Sequence, residues 1–545
     1  MMKKVIKKLL AALLAVAMVC AMAIPAFAYN YWETEEDLGQ NHCYDAFQIF
    51  KGDVTGNDTD GFKISNVTWG KNIPHHEDFL AKLNEDSTLS SEFANADSLQ
   101  KVLDVMKDWT TSDDNSIAFA RFVCNYIYTD PNADSEPVLR GGHTNGFELK
   151  EAGYYLIVDT SSFSSDANND SYHAYNSFLL KVNKDHYHVQ ITPKVVKPTV
   201  EKKVYDNDDG SSSGDNNGWG SSADHAINEE FQFQLIAKLP ESENNGHAYD
   251  YYDKYSVIFH DTLSDGITYD RPDSVVIKSN GKTYVIPNDS SKYTIGLESQ
   301  NYLVVKIPDV KACAKDAGFD LNDGATITVT YTAHLNENAA VNGSAENKNS
   351  VRLQYSNNPR PDGEYWGYTP NYTPESEVYV YTYQLNNTKR AETENGTPLP
   401  GAVFQLYSDK DCTQEVKLYK VGNIYFPIKD ATDKAKDAVQ MISGQDGQFN
   451  VKGLDAGTYY LRETTPPAGY SACPDTTIVI SATHDGNRVN LESSKLSTTI
   501  INKKAGGITL PSTGGIGTTL FYVVGGGLMV AAIVLLVTKK RMENK

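Results

Sequence analysis

Cysteine is scarce in this chain, with six among 545 residues, and Cys20 falls inside an N-terminal apolar run, leaving Cys43, Cys124, Cys313, Cys412 and Cys473 beyond it. An odd, widely spaced set makes no disulfide framework, and without a CxxC pair there is no cysteine-based metal site. Cys412 and Cys473 could bridge or could equally stay as two buried thiols. Positive charge is also short: 49 Lys and Arg against 70 Asp and Glu give a formal net charge of -21. Nucleic acids and anionic surfaces both need a basic footprint, so neither is expected as a partner. Long apolar runs are missing except at the two ends. What is present is enough to build cores, since 40% of residues are hydrophobic and 11% aromatic, 34 Tyr among them. That excludes a disordered acidic tail, and the length suggests about three domains.

Lys3, Lys4, Lys7 and Lys8 precede the first apolar run, and Ala26-Phe27-Ala28 supplies small residues at cleavage spacing. Residues 1–28 therefore read as a secretory signal peptide. At the other end, Leu510, Pro511, Ser512, Thr513 and Gly514 stand before an almost uncharged segment, 516–538, which Lys539, Lys540 and Arg541 close. The segment is long enough to span a bilayer, with the basic tail inside and everything before Leu510 outside. Pentapeptide, span and tail in this order resemble the cell-wall sorting signal of Gram-positive surface proteins, which a sortase cuts between Thr and Gly. The resemblance implies that 505–545 is a sorting signal, that Thr513 becomes an acyl donor, and that the span is a temporary holding device.

Residues 29–193 read as an N-terminal domain of mixed character. Strand-like runs at 46–50 and 154–158 flank two helical stretches, one with Asp97 as a cap and Leu99, Val102, Leu103 and Met106 on one face, the other at 117–126. His75 and His76 follow Pro74 in an expected loop, and His186 and His188 are expected to face solvent opposite Val189 and Ile191. Neither pair has a third ligand at metal spacing. No nucleophile, base or oxyanion arrangement stands out in this domain. Val189-Gln190-Ile191-Thr192-Pro193-Lys194 is similar to the pilin motif of sortase-assembled pili, with Thr192 in place of the usual Tyr and Asp185 where a Trp is often found. That resemblance implies that the Lys194 amine accepts the Thr513 acyl group of another copy, so the chain could polymerise head to tail. An ordinary solvated lysine in a linker is the alternative.

Residues 194–375 read as a second, all-β domain. In its opening strand Val200, Lys202 and Val204 share one face, which places a lysine between two valines on the core side. Tyr255, Val257, Phe259, Asp261 and Leu263 share parity, as do Asn349, Val351, Leu353 and Tyr355, so a carboxyl and an amide are also expected inside. In an apolar core a lysine's pKa falls and an acid's rises. A neutral amine can then attack the Asn carbonyl while the protonated acid bonds that oxygen and shuttles protons as ammonia leaves, which would join Lys202 to Asn349 through an isopeptide bond with Asp261 as catalytic acid. A buried Lys202–Asp261 ion pair is the alternative, and Lys203 is the nucleophile if the register slips by one. The loop 206–222 has the composition of a calcium loop without its spaced ligands and reads as a mobile hairpin connection.

In the third domain, 376–504, Lys389 is followed by Thr397-Pro398-Leu399-Pro400-Gly401-Ala402-Val403-Phe404, then Gly457-Thr458-Tyr459-Tyr460-Leu461-Arg462-Glu463-Thr464, then Pro466-Pro467-Ala468-Gly469-Tyr470, then Ile500-Ile501-Asn502-Lys503. These runs resemble the Cna-B-type immunoglobulin-like sandwich. The resemblance implies Lys389 as nucleophile, Asn502 as acceptor and Glu463 as catalytic acid of a second isopeptide bond; a surface Lys389 is the alternative. Arg390 departs from the family's apolar preference. In the first domain Val158 falls where Glu463 would, so no such bond is expected there.

The expected fold class is mainly β, as tandem Cna-type immunoglobulin-like sandwiches, the first with inserted helices. Taken together, the resemblances imply the structural backbone subunit of a covalently polymerised pilus on the cell wall. Its partners would be a pilus-class sortase and identical subunits, with minor pilins, peptidoglycan and host surface ligands beyond them. No cofactor, no metal and no enzymatic turnover are expected. A wall-anchored adhesin that uses the same domains as an unpolymerised stalk is the alternative.

Overall fold

The computed structural model describes residues 43–57, 61–109, 114–143, 146–160, 177–189, 198–206, 218–240, 252, 254–322, 324–356, 372–432 and 436–505. Residues 1–28, expected as a signal peptide, Lys194, and residues 510–514 with the span expected at 516–538 lie outside the described residues. Among the described residues, no helix is long and apolar enough to cross a membrane.

The first domain is built from β1 (Cys43–Asn57), β2 (Gly61–Trp69), α1 (His76–Glu85), α2 (Leu99–Met106), α3 (Asp114–Thr129), β3 (Leu139–His143), β4 (Phe147–Leu149), β5 (Gly153–Asp159), β6 (Ser177–Val182) and β7 (Tyr187–Val189). Strand β1 is central, with β2 on one side and β5 then β6 on the other. The two expected strand runs meet there, Phe47 facing Leu156 across an antiparallel pair. Phe79 of α1, Val102 of α2 and Phe119 of α3 pack with Phe47 and Leu156 in one apolar cluster. The inserted helices thus bury their amphipathic stripes on a single face of the sheet.

Three local expectations are corrected here. His76 opens α1 rather than sitting in a loop, because Phe79, Leu80 and Leu83 give the following residues a buried helical face. Asp97 does not cap α2; Ser98 holds that position without a side-chain bond, and Asp97 pairs with Lys101 one turn on. His186 sits at a turn with φ 51° rather than in the strand, although both it and His188 are exposed.

The second domain comprises β8 (Thr199–Tyr205), β9 (Trp219–Gly220), β10 (Ser222–Asp224), β11 (Glu230–Lys238), β12 (Val257–Leu263), β13 (Ile267–Ser279), β14 (Lys282–Val285), β15 (Thr294–Ser299), β16 (Tyr302–Ile307), α4 (Val310–Asp316), β17 (Thr326–Leu335), β18 (Lys348–Tyr355) and β19 (Ser376–Tyr381). Two six-stranded sheets face each other, ordered β14-β13-β17-β11-β8-β9 and β10-β19-β18-β12-β16-β15. Strict alternation drives this: β11 buries Phe231, Phe233, Leu235 and Ala237 and turns the residues between them outward. Asn280 and Gly281, both at positive φ, make the tight turn from β13 to β14.

The domain is not purely β. Asp309 caps α4 by accepting from the Ala312 N–H at 3.1 Å, and Val310, Cys313 and Ala314 are buried. The expected boundary at 375 also moves, since β19 pairs with β18 and completes this domain's second sheet. The loop expected over 206–222 includes β9, whose Gly220 and Trp219 pair with Val204 and Tyr205 to form a hairpin.

The third domain contains β20 (Tyr383–Ala391), β21 (Val403–Tyr407), β22 (Leu418–Val421), β23 (Ile424–Pro427), β24 (Met441–Ile442), β25 (Asn450–Leu454), β26 (Gly457–Thr465), β27 (Thr476–Ile480), β28 (Ala482–Asp485), β29 (Arg488–Leu491) and β30 (Ser497–Asn502). Sheet β22-β23-β25-β20-β30 packs on sheet β24-β21-β26-β27, and β28 and β29 form a separate hairpin. This domain is joined tightly to the second: Tyr419 and Phe426 belong to the second domain's apolar cluster. Asn228 donates to the Tyr419 hydroxyl at 3.2 Å and to the Pro427 carbonyl at 2.9 Å.

Candidate functional site

Two lysines are buried among the described residues, Lys202 and Lys389, and each sits with a carboxyl group and an asparagine. No described lysine of the first domain is buried. There Val158, which the sequence aligns with Glu463 of the third domain, is fully buried on β5.

In the third domain β20 and β30 run parallel as neighbours, with Lys389 opposite Ile500 and Ala391 opposite Asn502. Strand alternation turns both polar side chains into the sandwich, and Glu463 reaches them from β26 in the facing sheet. Lys389 Nζ donates to Asn502 Oδ1 at 2.5 Å and lies 3.2 Å from Glu463 Oε1. Asn502 Nδ2 donates to Glu463 Oε1 and Oε2 at 2.8 and 3.0 Å. The carboxyl therefore touches both the incoming amine and the amide nitrogen that would leave. Glu463 is thus held on the nitrogen side of the amide, where it can carry a proton from Nζ to Nδ2 directly.

The surroundings of this trio are closed to solvent. Lys389 Nζ lies 5.1 Å from the centre of the Phe404 ring. Cys473 contributes its backbone N–H to Glu463 Oε2 at 2.8 Å and its Sγ lies 3.6 Å from Lys389 Nζ. Burial pushes the Cys473 thiol up to about 11, so it stays protonated. Gly447, at φ +79°, backs the strand that carries Lys389: a Cβ there would come within 2.4 Å of the Lys389 carbonyl oxygen. Arg462 turns outward to Asp475 at 2.7 Å, so the surface alternative for Lys389 and Glu463 does not hold. Arg390 lies half-buried and bonds the Gly396 carbonyl.

In the second domain the same three residue types are distributed differently. Lys202 of β8 lies in one sheet, and Asp261 of β12 and Asn349 of β18 lie in the other. Lys202 Nζ is hydrogen-bonded to Asp261 Oδ1, and both side chains are completely inaccessible. Tyr331 of β17 intervenes: its hydroxyl donates to Asp261 Oδ2 at 2.6 Å and accepts from Asn349 Nδ2 at 2.7 Å and from Lys202 Nζ at 3.2 Å. Asn349 Oδ1 is buried without a hydrogen-bond partner. Burial holds Lys202 down to about 8 against the opposing pull of Asp261. Burial likewise raises the Asp261 carboxyl, more than Lys202 and Tyr331 lower it. Both shifts favour the neutral pair.

Lys203 faces away and lies 3.7 Å from Glu201, so the register selects Lys202. Asn349 lies on the penultimate strand rather than the last, because β19 follows it. Tyr331 was not singled out from the sequence. Its signal was parity with Ile327, Val329 and Ala333 on an inward face, where a phenol needs a polar partner. Cys412 and Cys473 are both free thiols of intermediate exposure.

Sandwich domains with interior Lys, acid and Asn trios, followed by a sorting-type C-terminus, define the class. Residues 385–495 match the family described as SpaA, a prealbumin-like fold domain, and residues 502–544 match the LPXTG cell wall anchor motif. The chain thus carries a SpaA-type domain and ends in a cell-wall anchor signal. No curated protein matches. Among solved structures, the chain is similar to the T6 backbone pilin of serotype M6 Streptococcus pyogenes at 17% identity and TM-score 0.45, over 86% of this chain and 96% of that one. It is similar to a 35 kDa C-terminal fragment of the major pilin GBS80 of Streptococcus agalactiae at 23% identity and TM-score 0.38, over 56% and 99%. The full-length major pilin SpaD from Corynebacterium diphtheriae matches at 20% identity and TM-score 0.40, over 69% and 87%.

Proposed function

We propose that this chain is the backbone subunit of a covalently polymerised cell-surface pilus, a structural protein whose chemistry acts on itself and with a sortase. The observation that carries the reading is the Lys389–Glu463–Asn502 trio, closed and buried in the domain that matches the SpaA family. The Lys389 amine attacks Asn502 Cγ, Glu463 takes the amine proton and delivers it to Nδ2, and ammonia leaves as the new amide forms. In the second domain Lys202 attacks Asn349, and the proton passes through Asp261 and Tyr331 to the leaving nitrogen.

Between subunits, sortase forms an acyl link at Thr513 of Leu510-Pro511-Ser512-Thr513-Gly514, and Lys194 of the next copy accepts it. Tension then enters a subunit at Lys194 and leaves at Thr513. The second and third domains lie on that path and hold the two trios; the first domain hangs before Lys194, off the path. Minor pilins, peptidoglycan and host surface ligands are further partners of such a shaft.

Boiling cells in detergent tests this reading. A ladder of high-mass species that disappears in Lys194→Ala is expected, and a single monomeric band in the parent would favour the unpolymerised, wall-anchored adhesin.

A further inference from the structure

Where the second and third domains meet, three side chains from distant parts of the sequence converge in the interior. Asp206 follows β8, Asp224 ends β10, and His484 comes from the β28–β29 hairpin of the third domain. They are 6%, 0% and 4% exposed, and one ligand atom from each lies within 4.8 Å of the others. Both oxygens of the fully buried Asp224 carboxylate have no hydrogen-bond partner. A buried carboxylate left so is costly unless a cation balances it.

The imidazole is held for such a cation. His484 Nδ1 is bonded to Ser222 Oγ at 2.9 Å, and that oxygen also accepts the Gly486 N–H at 3.1 Å. Nε2 then faces the two carboxylates, 3.4 Å from Asp206 Oδ2 and 3.4 Å from Asp224 Oδ1. Those separations exceed the usual N–H···O length of about 2.7–3.2 Å. They match instead the edge of a tetrahedron: two donors about 2.0–2.1 Å from a zinc ion are about 3.4 Å apart.

We propose that Asp206, Asp224 and His484 form a transition-metal site, best matched to Zn2+, that clamps the second domain to the third. One imidazole and two carboxylates suit zinc better than calcium or magnesium, which take oxygen donors. Asp224 Oδ2 or a water completes the fourth position. The Ser222 bond to Nδ1 is the outer partner that orients a ligating histidine. A neighbouring cluster, His225, Glu229 and Asp455, is a weaker candidate, because Glu229 already lies 3.5 Å from Lys429 and accepts the Ala226 N–H. The site does not depend on the pilus reading; it depends only on the junction between the two domains.

The test uses the full-length chain in detergent, stripped with chelator and titrated with Zn2+ at neutral pH by calorimetry. One zinc per chain is expected, with the absorption spectrum of a tetrahedral centre when Co2+ replaces it. Asp224→Asn and His484→Gln should each weaken binding by at least the roughly 10–100-fold that losing even an outer-shell partner costs, whereas Glu229→Gln should leave it unchanged. Hydrogen exchange at the Gly486 amide should slow with zinc in the parent. Absence of one-to-one binding, an octahedral cobalt spectrum, or full binding by both Asp224→Asn and His484→Gln would overturn the proposal. Should either variant misfold, the stoichiometry and cobalt spectrum of the parent still decide it.

Discussion

The second and third domains bury the same three functional groups and arrange them in two ways. In the third, amine and amide sit on neighbouring parallel strands, and one carboxyl touches both nitrogens. In the second, amine and amide come from opposite sheets, the carboxyl touches only the amine of the two nitrogens, and a tyrosine connects it to the amide. The contrast teaches that burial brings such groups together but strand pairing decides how a proton gets from one to the other. It also gives the two proposed bonds different mechanical roles, one tying neighbouring strands and the other tying sheet to sheet.

The sharpest break of that comparison is Glu463→Ala. The third domain should then retain the mass of one ammonia, measured on the intact chain after correcting for the substitution. Its unfolding free energy should fall by roughly 5 kcal/mol if loop-closure estimates for cross-links transfer. Asp261→Ala should do the same in the second domain and leave the third domain's bond intact; a variant that lost both bonds would show that the domains do not mature independently.

Tyr331→Phe separates the two arrangements. Removing the relay should slow ammonia loss in the second domain by about 10²–10⁴-fold, the usual worth of a positioned acid or base. The third domain should mature at the parent's rate. Equal rates in both domains, followed by time-resolved mass measurement, would remove Tyr331 from the chemistry. Smaller still is Cys473→Ala: the backbone N–H that holds Glu463 at 2.8 Å survives the substitution, so mass should be unchanged and stability altered by about 1 kcal/mol, within the common range for a single substitution. Lys203→Ala should change neither, since that side chain faces Glu201.

Much of this was legible in the sequence, for identifiable reasons. Two-residue periodicity marked Lys202, Asp261 and Asn349 as interior, because a charged residue on a valine face stands out. Family resemblance marked Lys389, Glu463 and Asn502. Tyr331 was silent because an inward tyrosine is ordinary in a strand, and only the three-dimensional arrangement reveals whom its hydroxyl serves. Strand β19 was assigned to the wrong side of a boundary because an apolar alternating run does not say which sheet it joins. The cluster at the domain junction could not be read at all: 262 positions separate Ser222 from His484, and no local pattern spans that distance.

The most direct measurement of the central claim is the intact mass of the secreted chain before any treatment. Two buried amines joined to two asparagines predict a mass lower than the sequence mass by two ammonia molecules, with Lys202–Asn349 and Lys389–Asn502 recovered as linked peptides. A mass equal to that of the sequence, with both lysines free after digestion, would contradict it.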